Sequence, residues 1–113
     1  MSEIGYRFLM QCKYNYLKGI TPSNLVYYNN ADYLKLISIG REFLNIGQIE
    51  AFAFFMSESQ YFVPLWTAHI ILEYGSPNED MKNECLATII EYANHPTNKK
   101  IAIEEQSWLI SNG

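Results

Sequence analysis

The stretch YFVPLWTAHIILEY, residues 61–74, followed by Gly75-Ser76 and then by PNEDMKNECLATIIEYA, residues 77–93, decides the fold. Both segments repeat apolar residues at helical spacing, and neither alternates as a strand would. Ser76, Pro77 and Glu79 suit the N-cap, N1 and N3 positions of the second segment, where a hydroxyl and a carboxylate can satisfy free amides. The pair therefore reads as a helical hairpin turning at Gly75-Ser76.

Outside this hairpin helices are predicted almost throughout. The first covers residues 3–18, with Tyr6, Leu9, Met10, Tyr14 and Leu17 at helical spacing and Gly19 as its stop. Thr21-Pro22 opens a short helical turn toward Tyr28. Asn30 caps a longer helix carrying Tyr33, Leu34, Ile37, Phe43 and Leu44, which Gly47 ends. A short helix over 48–56, almost wholly apolar through Phe52, Ala53, Phe54 and Phe55, is expected to be buried on several sides. His95-Pro96-Thr97-Asn98 turns the chain into a last helix carrying Ile101, Ile103, Trp108 and Leu109 to a frayed Ser111-Asn112-Gly113. Leu65, Trp66, Ala68, Leu72, Ile89, Phe54 and Trp108 are expected in or beside the core. The expected fold is all-α: one domain over residues 1–113, with hairpins at 31–56 and 61–93 stacked between an opening and a closing helix. Such a short α-solenoid of about five to seven helices buries each pair against its neighbours.

Composition supports a folded domain and narrows its setting. With 49% hydrophobic and 15% aromatic residues in 113, the chain can build a core without disulfide staples. Cys12 and Cys85 stand in helical patterns without CxxC spacing, so they read as small buried hydrophobes in a reducing compartment. The start, Met1 to Arg7, lacks a basic region followed by a long apolar run, and Phe52 to Phe55 is too short to span a bilayer. A cytoplasmic protein without membrane contact is expected.

Charge is unevenly distributed. Through Ile49 the acids Glu3, Asp32 and Glu42 face the bases Arg7, Lys13, Lys18, Lys35 and Arg41. From Glu50 to Glu91 the acids Glu50, Glu58, Glu73, Glu79, Asp80, Glu84 and Glu91 face Lys82 alone. Phosphate neutralisation needs clustered Lys and Arg, and the only adjacent basic pair is Lys99-Lys100, so nucleic-acid binding is not expected. A basic protein partner suits the acidic half better.

The segments Val63 to Leu72 and Cys85 to Glu91, closing on Ala102 and Gln106-Ser107-Trp108-Leu109, resemble a family of small HEAT-like bacterial domains. In that family the first of these helices is alanine-rich with a tryptophan, and the last ends in a tryptophan. Some members are immunity proteins of contact-dependent growth inhibition and related polymorphic-toxin systems. The likeness extends over residues 1–60 only as a helix pattern. Pro64 stands where such repeats often carry Arg, and an interior proline would cost about 3 kcal/mol. The helix is therefore expected to begin near Phe62 or Val63, with Pro64 in its first turn. The resemblance implies a cytosolic inhibitor, a monomer in a one-to-one complex with its toxin domain.

Candidate chemistry is sparse. His69 and Glu73 have an i, i+4 spacing open to metal ligation, but no HExxH pattern accompanies them, and a hydrogen-bonded structural histidine is expected. His95 is placed to bond the carbonyls of a helix end. Glu104-Glu105 and Glu79-Asp80 are adjacent pairs whose side chains diverge, so they read as solvated. No nucleophile, base and orienter assemble, hence no enzyme, metal or cofactor is expected. The sharper pattern is Asp80, Glu84, Ala87 and Glu91, one helical stripe opposite Met81, Cys85, Ile89 and Tyr92. These carboxylates are the leading candidates for partner binding, with Glu50, Glu58 and Glu73 secondary and Tyr61 and Tyr74 as aromatic anchors. Since enzymes that act on nucleic acid are basic, the expected partner is a nuclease toxin, with ribonuclease favoured. A helical adaptor serving some other protein is the alternative.

Overall fold

The computed structural model describes residues 2–112, and every regular element among them is helical. Helix α1 covers Glu3–Leu17, a 3₁₀ turn Leu25–Tyr27, α2 Ala31–Asn45, and α3 Ile49–Ala53, which runs on into a 3₁₀ turn at Phe54–Ser57. Then come α4, Val63–Tyr74, α5, Glu79–Ala93, and α6, Lys99–Asn112. The all-α expectation holds. The end expected to fray at Ser111-Asn112-Gly113 is instead helical through Asn112, and Gly113 lies outside the described residues.

Helix α4 is the axis of the fold. Every residue from Val63 to Ile71 is buried, as an all-round apolar helix must be. Helices α1, α2, α3 and α5 and the 54–57 turn pack directly on it, and α6 packs on α5. Trp66 lies at its centre, edge-on to Tyr33 with ring centroids 5.3 Å apart. A second aromatic knot joins Phe8, Phe43, Phe52 and Phe55, with Phe8 to Phe52 at 4.9 Å and Phe43 to Phe52 at 5.1 Å. Gly40 of α2 lets α4 approach closely: a Cβ there would lie 2.7 Å from Ile70 Cδ1 and 2.9 Å from its Cγ2. The result is a short stack measuring 34 × 32 × 24 Å.

Local signals explain most boundaries. Asn30 Oδ1 accepts from the amides of Asp32 and Tyr33 and so starts α2 where expected. Pro64 is the second residue of α4, where its missing N–H leaves no intrahelical bond unmade. The helix begins at Val63, as the placement of Pro64 in its first turn led one to expect, and Tyr61 precedes it. Tyr61 and Phe62 both adopt φ of 56°, a left-handed conformation costing on the order of 1 to 3 kcal/mol per non-glycine residue. Tyr16 holds them there, its ring 5.6 Å from that of Tyr61 and 5.2 Å from that of Phe62.

Three expectations need correction. The α5 cap is Asn78, whose Oδ1 accepts from the Met81 amide at 2.8 Å, so Ser76 and Pro77 remain in the link. Asparagine caps as well as serine does, and this register puts Glu79 and Asp80 at the first two positions, against the positive end of the helix dipole. Phe54 is 78% exposed, since four consecutive helical residues cannot share one face, and Phe52 and Phe55 take the inward side. Glu105 is fully buried rather than solvated, because its position on α6 faces α4.

Candidate functional site

The candidate site is a groove between the α3 segment and α5. Both walls pack on α4, which leaves a trough above it. One end is a cavity of about 440 Å³ lined by Glu50, Phe54, Met56, Met81, Glu84 and Thr88, among others. The other, about 260 Å³, is lined by Met56, Glu58, Pro64, Thr88, Glu91, Tyr92 and His95, with Ser59. Met56 and Thr88 belong to both and join them into one groove. At the junction the Thr88 hydroxyl donates to the Glu84 carbonyl at 3.0 Å and approaches Met56 Sδ at 3.7 Å.

Helical periodicity arranges the α5 wall. Met81, Glu84, Thr88, Glu91 and Tyr92 recur at three- and four-residue steps and so form one ridge. Glu84 and Glu91 are exposed on it, while Met81 and Tyr92 are half-buried. Glu50 and Glu58 bracket the opposite wall, both exposed. No lysine or arginine lines either cavity. Burial first, and the neighbouring Glu91 second, push the Tyr92 phenol up to about 12, so this wall keeps a neutral hydroxyl.

The groove thus gathers four of the expected partner-binding residues from two parts of the chain: Glu50, Glu58, Glu84 and Glu91. The other four lie elsewhere. Asp80 is exposed near the start of α5 without lining the groove. Glu73 lines a separate cavity beside Ser23 and Trp108. Tyr74 stacks under the Arg41 guanidinium at 4.8 Å, and Tyr61 packs on Tyr16 with Lys13 Nζ 5.9 Å from its ring centroid. Sequence reasoning missed Phe54, Met56, Met81 and Thr88 as groove residues. The signal was present in the surplus of apolar residues over 52–56, too many for one inward face.

A second polar cluster lies inside the fold. His69 Nε2 is 2.6 Å from Glu105 Oε1 and 3.0 Å from Ser23 Oγ, and the His69 ring meets Trp108 edge-on at 4.6 Å. His69 is thus hydrogen-bonded within the fold, as expected. Both contacts fall on one ring nitrogen, whereas a serine–histidine–acid relay engages the two nitrogens separately. The cluster therefore clamps α6 and the Ser23 loop onto α4. Beside it Asn24 Nδ2 donates to Glu104 Oε2 at 2.7 Å, so Glu104 too is engaged rather than free in solvent. His95 differs from expectation in its partners: its Nδ1 accepts from the amides of Thr97 and Asn98 ahead of α6.

Both cysteines are free and buried; burial raises the Cys12 thiol far above its ordinary value and pushes Cys85 up to about 11. Among the described residues no three His, Cys, Asp or Glu side chains converge as metal ligands, and no helix is long and apolar enough to cross a membrane. In comparisons with known proteins, the chain matches no family model, no curated protein and no solved structure.

Proposed function

We propose that this protein is an acidic recognition module that captures a basic protein partner in the groove between the α3 segment and α5, and that it acts as an immunity protein. Its partner is then a toxin domain, a basic nuclease with ribonuclease favoured, whose active site it covers. One observation carries the reading: Glu50, Glu58, Glu84 and Glu91 surround a single groove that no Lys or Arg lines. Carboxylates so placed repel one another modestly in the free protein, and a basic partner relieves that repulsion while being steered into place. A nuclease surface built for phosphates presents the complementary charge.

Co-expression tests this. A toxin domain encoded in the reading frame beside this gene should arrest growth alone and be silenced by the wild-type chain. Silencing should fail with Glu84→Lys/Glu91→Lys while the variant stays folded. Undiminished silencing by that variant would remove the groove from the account. Binding of an adjoining gene product that is not toxic would favour the adaptor alternative.

A further inference from the structure

Resting on that reading of the groove, we infer that what enters it is one amphipathic helix of the partner, with an apolar anchor over Met56 and Thr88 and Lys or Arg reaching Glu84 and Glu91. Three observations select this occupant. The described residues contain no strand, so no open sheet edge is present to pair with an extended peptide, which removes one of the common modes of peptide capture. Proline-rich segments dock between ranks of aromatic side chains, and here each cavity is lined by a single aromatic residue besides any histidine, Phe54 in one and Tyr92 in the other. A helix in a groove favours flexible apolar side chains that adapt to a ridge, and Met56 and Met81 supply them.

Charge sets the register. Glu84 and Glu91 are seven residues apart on one helix, two turns and about 10.5 Å along its axis. A helix lying along α5 matches them with cations at i and i+7, and its side chains at i+3 and i+4 then face the floor between. Phe54, 78% exposed on the opposite wall, offers apolar surface to the same face of the incoming helix. A partner helix of this pattern covers the exposed phenylalanine and neutralises both carboxylates together.

Two synthetic peptides of one composition test the inference, binding being read by fluorescence anisotropy and helicity by circular dichroism. The first carries Lys at i and i+7 with Leu at i+3 and i+4; the second moves both Lys to the opposite face. The first should bind at least about tenfold tighter, gain helix on binding, and lose about tenfold or more with Glu84→Lys/Glu91→Lys, where each tenfold is 1.4 kcal/mol. Glu3→Lys/Glu42→Lys should leave it unchanged. Equal binding of both peptides, still sensitive to reversal at Glu84 and Glu91, would overturn the helix and leave the acidic groove standing. Binding of neither would overturn the helix, with growth rescue then deciding the groove on its own. Binding indifferent to the reversal would overturn both.

Discussion

Replacing His69 by leucine takes away the hydrogen-bond partner of Glu105 Oε1 and leaves a carboxylate whose side chain is wholly inaccessible. With the imidazole 7% exposed and the carboxylate 0%, solvent cannot screen the loss. Removing one member of such a buried pair costs about 3 to 5 kcal/mol, because the survivor's polar atoms stay desolvated without their partner. The lost edge contact with Trp108 adds about 0.5 to 1.5 kcal/mol. Glu105→Gln keeps a side chain that can bond the imidazole and should cost less, about 1 to 3 kcal/mol. The double variant His69→Leu/Glu105→Met removes both polar partners and fills their space, so it should be more stable than His69→Leu alone, since well-packed apolar replacements of buried pairs are near neutral. Urea unfolding of the wild type, His69→Leu, Glu105→Met and their double variant closes the cycle, with Glu105→Gln measured beside it. Additive losses, or a His69→Leu cost below about 1 kcal/mol, would show that the pair does not clamp α6 to α4.

Other outcomes follow from packing and burial. Gly40→Ala should destabilise by about 1 to 3 kcal/mol despite alanine's better helix propensity, since the new methyl meets the stiff, buried Ile70; a gain in stability would mean that α2 and α4 can part freely. Trp66→Ala should cost about 3 to 5 kcal/mol in the same urea assay, and a loss below about 1 kcal/mol would place the indole outside the core. Cys85 and Tyr92 have folded values raised to about 11 and about 12, so the folded state holds protons that the unfolded state releases. Their stabilisation is complete below the ordinary thiol value of 9.0 and is lost as pH climbs through 11 and 12. Alkaline titration of stability should therefore fall from about pH 9 upward, less steeply in Cys85→Ala. Thiol labelling of the native protein at neutral pH should proceed only as fast as the chain unfolds.

Much of the fold is legible from short-range chemistry. Asn30 marks the start of α2 because its side chain reaches the amides two and three residues on, and Pro64 marks the first turn of α4 because no interior helical position suits it. At α5 two caps of equal strength, Ser76 and Asn78, lie two residues apart, and only the folded register separates them. Phe54 shows the limit of counting apolar residues: Phe52 and Phe55 satisfy the core, and Phe54 is turned out. The candidate site is legible in half. The α5 stripe contains Glu84 and Glu91, but their meeting with Glu50 and Glu58 depends on how α3 and α5 share α4, which no local pattern encodes. Glu105 escaped for the same reason, since its partner His69 is 36 residues away.

The groove can be tested most directly by titrating the toxin domain into the wild-type chain and into Glu84→Lys/Glu91→Lys, with Asp80→Lys and Glu3→Lys/Glu42→Lys beside them, at low and at physiological salt. Folding should survive every substitution, since all five residues are exposed. Reversal at Glu84 and Glu91 should slow association and flatten its salt dependence, and should cost about 2 to 5 kcal/mol of affinity where a carboxylate is buried against a partner cation. Asp80→Lys, on the same helix but outside the groove, should have a much smaller effect, and reversal at Glu3 and Glu42 almost none. Equal losses at Asp80, at Glu3 and Glu42, and at Glu84 and Glu91 would contradict the account, leaving net charge rather than the groove as the determinant of binding.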